Sequence, residues 1–136
     1  MAVEKPPVDE ARSPAGCFLA LAIGPLVAGG TAITFSLLTG QSLSDEWGII
    51  AWQALLVSLP FIAVALTGTV RKAPWLAGLA LTVALWSYYL YDGVAYQRHP
   101  DETGANIGLG LIMLVSPVFI TVTCLGVYWW QRRGAT

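Results

Sequence analysis

The sequence has 136 residues, of which 56% are hydrophobic and 11% charged, with a net charge of −1 and a mean hydropathy of +0.66. Soluble domains carry about 25% charged residues, and a chain this short cannot hide so much apolar surface in its own core, so lipid must solvate part of it. The near-neutral charge gives no electrostatic basis for nucleic acid as a partner. The length fits one domain.

In chain order, residues 1–15 (MAVEKPPVDEARSPA) are polar and carry Pro6, Pro7 and Pro14, which predicts a disordered tail. Gly16–Leu38 is the first predicted span, 23 residues without a charge, against the roughly 20 that cross a hydrocarbon core. A cleaved signal peptide is the competing reading, with Pro25 ending a short apolar core before Ala28-Gly29-Gly30. The apolar run continues through Thr31–Leu38, and the preceding tail is as acidic as it is basic; both speak against cleavage. Cys17 and Cys124 lie in apolar runs with no metal-ligand spacing and read as small hydrophobes. Gly16-Cys17 is not a lipidation site, because the apolar segment follows the cysteine.

A polar turn, Thr39–Glu46, leads to the second span, Trp47–Thr69. Val70–Pro74, with Arg71 and Lys72, turns into the third, Trp75–Tyr91. That segment is short at 17 residues, so its helix can run on toward Tyr96. Asp92–Gly104 is expected to be the longest internal loop, Ala105–Trp130 the fourth span, and 132–136 a second tail. The expected fold is an all-α integral membrane protein, a four-helix transmembrane bundle over 16–131. Lys5, Arg12, Arg71, Lys72, Arg132 and Arg133 fall on one side of it and only Arg98 on the other, which predicts both termini cytoplasmic in a plasma membrane, the inner membrane if the source is bacterial. Trp75, Tyr128, Trp129 and Trp130 would mark the inner interface, and Trp47, Trp86, Tyr88, Tyr89 and Tyr91 the outer.

Helices in lipid associate through close contact and hydrogen bonds. Gly16, Ala20, Gly24, Ala28, Ala32 and Ser36 recur every fourth residue on one face of the first span and predict a packing seam. Gly104 and Gly108 open the fourth span at the same spacing. The second and fourth spans also match at an offset of 58, Leu56-Val57-Ser58 with Leu114-Val115-Ser116 and Phe61-Ile62 with Phe119-Ile120, as two parallel hairpins would. Pro25, Pro60 and Pro117 are candidate kinks; Pro60 and Pro117 leave the carbonyls of Leu56 and Met113 without their helical donors, a deficit that nearby serines can repair.

No Asp, Glu, Lys, Arg or His falls inside the predicted spans, which argues against ion-coupled transport. Gln53 and Asn106 are the strongest polar groups beside them. The outer face carries Asp45, Glu46, Asp92, Asp101 and Glu102 with Arg98 and His99. Ser44, Asp45 and Glu46 are explained as capping the second span, and Asp101, Glu102 and Thr103 the fourth, while His99-Pro100-Asp101 reads as turn chemistry; no metal spacing is present. Asp92 is left over. If the third helix passes Gly93, Tyr88, Asp92 and Tyr96 share a face, so Asp92, Tyr96, His99, Asp101 and Glu102 form the candidate outer-face binding group.

No GxSxG, HExxH or glycine-rich phosphate loop occurs, so neither an enzyme nor a bound cofactor or metal is expected. The leading functional expectation is a structural or accessory subunit that packs against another membrane protein or against copies of itself. The alternatives are a channel or uncoupled small-solute carrier, and an outer-face metal or enzymatic site around Asp92 and His99.

Overall fold

The computed structural model describes residues 14–69, 71–100 and 107–134. The described residues are all-α and form four helices: α1 Pro14–Thr39, α2 Trp47–Leu66, α3 Lys72–Arg98 and α4 Ile107–Arg133. Each is long and apolar enough to cross a membrane. The surface agrees with that composition. Phe18, Leu37 and Ile107 are 74%, 81% and 77% exposed, while Ser58, Thr82 and Ser116 are buried. Water would penalise so much outward apolar area, whereas lipid solvates it.

Helix ends follow local chemistry. Gly40 takes φ 73° and its N–H reaches the Ser36 carbonyl at 2.8 Å, closing α1. Gly68, at φ 68°, does the same for α2, so that helix stops at Leu66 and not at Thr69 as its apolar run suggests. Ser44 does not cap α2. The cap position belongs to Glu46, which makes no side-chain capping bond, and the Ser44 hydroxyl pairs instead with Ser42 Oγ at 3.0 Å. The larger correction is in α3, which begins three residues before Trp75 and runs through Asp92 and Gly93 to Arg98. It ends at the His99 cap, immediately before Pro100, where the ring disfavours helical backbone in the preceding residue. Thus Asp92–Arg98 is helix and not loop, with the extension allowed toward Tyr96 carried two residues further.

Neighbouring contacts run α1 with α2, α2 with α4, α4 with α3 and α3 with α1; α2 also touches α3 across the diagonal, and α1 and α4 occupy opposite corners. On the first-span seam, Ala20, Gly24 and Ala28 are buried while Gly16, Ala32 and Ser36 are half-buried. A Cβ added at Gly24 would overlap the Ala54 carbonyl oxygen and Ser58 Oγ, so α1 and α2 approach there nearly backbone to backbone. Gly104 lies outside the described residues, and Gly108 is exposed. A second close approach joins α3 to α4 and α2: a Cβ at Gly78 would stand 2.7 Å from Cys124 Sγ and 3.2 Å from Phe61 Cε1.

Two core clusters result. Ala28, Ile50, Val57 and Trp86 bring together α1, α2 and α3. Val64, Ile120 and Cys124 join α2 to α4, with Trp75, Leu81 and Leu85 of α3 packed on them. Phe61 stacks on Trp75 at 6.0 Å beside this second cluster. The residues matched at offset 58 hold unlike places: Ser58 and Ser116 are both buried, but Phe61 is buried where Phe119 is exposed.

Pro25, Pro60 and Pro117 all lie within continuous helices, Pro25 exposed and the other two buried. The Met113 carbonyl, which Pro117 leaves without a backbone donor, accepts from Ser116 Oγ at 2.8 Å. Ser116→Ala strips that acceptor of its donor in an apolar surrounding and should cost about 1 kcal/mol, read as a lower unfolding temperature in detergent. Val115→Ala, on the exposed neighbour, serves as the control and should shift it little.

Candidate functional site

The four helices alternate in direction, so the last turns of α1 and α3 stand beside the first turns of α2 and α4. At that end they part around two adjoining chambers that share part of their lining. The outer chamber, about 410 Å³, takes its wall from all four helices and includes Phe35, Glu46, Asp92, Tyr96 and Gln97. The inner one, about 180 Å³, lies between α2, α3 and α4 and includes Trp52, Pro60, Thr82, Ser116, Pro117 and Ile120. Ile49, Gln53, Trp86, Tyr89 and Gly110 border both chambers. Combined, the space is in the range of small-molecule sites. Ile120 forms the floor of the inner chamber and belongs to the cluster with Val64 and Cys124, while Ile49, Trp52 and Leu114 on its rim are exposed.

Each wall position has a local cause. Trp86 is 7% exposed and meets the Tyr89 ring edge-on at 5.7 Å, which fixes both indole and phenol against the cavity. Gly110 borders both chambers and has nothing within 4 Å of where a Cβ would stand, so a side chain can be added at this shared rim without a clash. Thr82 Oγ1 donates to the Gly78 carbonyl at 2.8 Å, the usual way a hydroxyl is satisfied in an apolar helix. Gly93 lets α3 come close to α1, since its Cβ would stand 3.3 Å from Phe35 Cε2.

Of the outer-face group, Asp92 and Tyr96 meet at the outer chamber together with Glu46. Tyr88, expected beside Asp92, is 55% exposed and borders neither chamber; Tyr89 takes that place. His99 is exposed at the end of α3, away from the lining, and Asp101 and Glu102 lie outside the described residues. Among the described residues no group of three His, Cys, Asp or Glu is placed to hold a metal. Asp92 also sits more than a turn before Arg98, so it escapes the unfavourable helix terminus that its apparent loop position implied. It is an acidic side chain inside a helix long enough to span, half-buried and facing the bundle cavity, where the sequence suggested none.

The sequence marks Gln53 only as a strong polar group beside a span, and it gives Trp52, Thr82 and Gly110 no role. Thr82, the hydroxyl in the otherwise apolar stretch between Trp75 and Trp86, was the available signal.

Fold and site together define a protein of four membrane-length helices with a ligand-sized cleft between them. No protein-family model, curated protein or solved structure matches the chain.

Proposed function

We propose that this is a multi-pass membrane protein that receives a small solute in the cavity between its helices, in the manner of an uncoupled carrier or solute-binding subunit. The observation that carries the reading is the meeting of the two chambers at Gln53, Trp86 and Tyr89, a polar amide and two aromatic rings in the middle of an apolar bundle. The accessory-subunit reading relied on the small-residue seam of the first span for docking a partner. Ala20, Gly24 and Ala28 are occupied against α2 within this chain, which leaves that seam with little to offer another protein.

The basic residues set the proposed orientation. The Arg71 guanidinium donates to the Gln131 carbonyl at 2.6 Å, and Arg133 lies 3.6 Å from the centre of the Trp129 ring. This cationic, aromatic end is taken as cytoplasmic by the positive-inside rule, in a plasma membrane, so the cavity opens outward.

One accessibility experiment addresses both points. In a Cys17→Ser background, a small membrane-impermeant thiol reagent added outside the cell should label Gln53→Cys. Gly110→Leu, which adds bulk without a clash at the rim that both chambers share, should slow that labelling by about tenfold or more. Labelling only after permeabilisation would reverse the orientation. Labelling at neither side, or indifference to Gly110→Leu, would remove the cavity as a solvated site.

A further inference from the structure

The inference rests on the solute-binding reading above and names the chemical class of the solute. The wall is aromatic: Trp52, Trp86 and Tyr89 border the inner chamber, and the faces of such rings carry the negative lobe of their quadrupole. Its buried hydroxyls are already committed as donors. Thr82 and Ser116 are 1% and 8% exposed, and their protons go to the carbonyls of Gly78 and Met113, each at 2.8 Å. What they retain for a guest is oxygen lone pairs. Finally, Glu46 and Asp92 border the outer chamber, and no Lys, Arg or His among the described residues lines either one.

We propose that the cavity binds a flat organic monocation, its apolar body in the inner chamber and its positive charge toward the outer one. A bare inorganic cation would lose its hydration shell against an apolar wall with too few oxygens to replace it. An anion would meet carboxylates, lone pairs and ring faces together. A neutral molecule of the same shape could enter but would leave the ring faces and carboxylates unused. Chambers of about 180 and 410 Å³ hold a fused bicyclic ring with room for a charged substituent.

The test uses the full chain in nanodiscs of zwitterionic lipid and three probes of nearly one shape: N-methylquinolinium, methylnaphthalene and naphthoate. Binding is read as the saturable quenching of tryptophan fluorescence that Gly110→Leu removes, which separates cavity occupancy from partition into lipid. The cation should bind about tenfold tighter than the neutral isostere, the order of one desolvated cation–ring contact, and the anion more weakly than either. Glu46→Gln combined with Asp92→Asn should narrow the preference for the cation severalfold. Glu46 makes no capping bond whose loss would unravel α2, so Glu46→Gln alone provides a folded check. Asp45→Asn, exposed and outside the lining, should leave all three affinities as they were. Equal cation and neutral affinities, both lost in Gly110→Leu, would overturn the cation assignment while leaving a solute site. A preference unmoved by the carboxylate variants would also overturn it, since the charge would then be recognised elsewhere. Absence of any saturable component sensitive to Gly110→Leu would sink the solute-binding reading itself.

Discussion

Gly24→Leu should yield no folded, monodisperse protein, and Gly24→Ala alone should lower stability by about 1–3 kcal/mol or more, the cost of overpacking a close contact. The reason is the identity of the neighbours. A Cβ at this position overlaps the Ala54 carbonyl oxygen and Ser58 Oγ, and the first of these is backbone, which no rotamer change can move away. Relief requires α1 to withdraw from α2 along the seam that buries Ala20 and Ala28. In lipid no hydrophobic exclusion returns the helix, because the acyl chains are as apolar as the surface they would cover. Gly30→Ala provides the contrast on the same helix. Nothing lies within 4 Å of its Cβ, so the change should be neutral or gain up to about 1 kcal/mol from helix propensity. Melting monitored by fluorescence-detected size exclusion measures both variants. Equal tolerance of alanine at 24 and 30 would mean that α1 does not pack through this face.

The same contrast shows what a sequence of this kind can disclose. The four spans are legible because an uncharged run of about 20 residues is a one-dimensional property. The α1 seam is half legible: spacing marks a face, but only the partner helix decides that Gly24 and not Gly16 is the point of closest approach. Helix ends are read less well where residue type misleads. Asp92-Gly93 resembles the start of a loop, yet Gly93 serves to admit Phe35, and the helix continues until Pro100 forbids it. The choice of helix end decides the site. With α3 ended at Tyr91, Asp92 belongs to a solvent loop; with α3 continued, as the candidate group of Asp92 and Tyr96 required, Asp92 lines the same chamber as Glu46. The cavity itself leaves no trace in the sequence, because Gln53, Trp86 and Gly110 come from three helices at unrelated separations.

The floor of the cavity depends on Gly78, and a double-mutant cycle with Cys124 should expose that dependence. In α3, Gly78 lies where a Cβ would stand 2.7 Å from Cys124 Sγ, a separation that real Cβ atoms do not adopt. Both residues are buried, and Phe61, stacked on Trp75, closes the third side at 3.2 Å. Gly78→Ala should therefore cost about 1–3 kcal/mol through forced separation of α3 from α4. Cys124→Ala removes the sulfur and leaves a small void, which should cost about 1 kcal/mol on its own. Together the two changes are complementary: the new methyl occupies part of the space the sulfur vacates, and only the Phe61 contact must yield by a few tenths of an ångström. The double variant should thus be more stable than the sum of the single losses predicts by about 1 kcal/mol or more, within the range measured for residues in direct contact. Thermal unfolding in detergent gives the four corners of the cycle. Strict additivity would show that Gly78 and Cys124 do not touch. The floor of the inner chamber at Ile120, in the cluster that packs Ile120 and Cys124 against α3, would then have to be held by other residues.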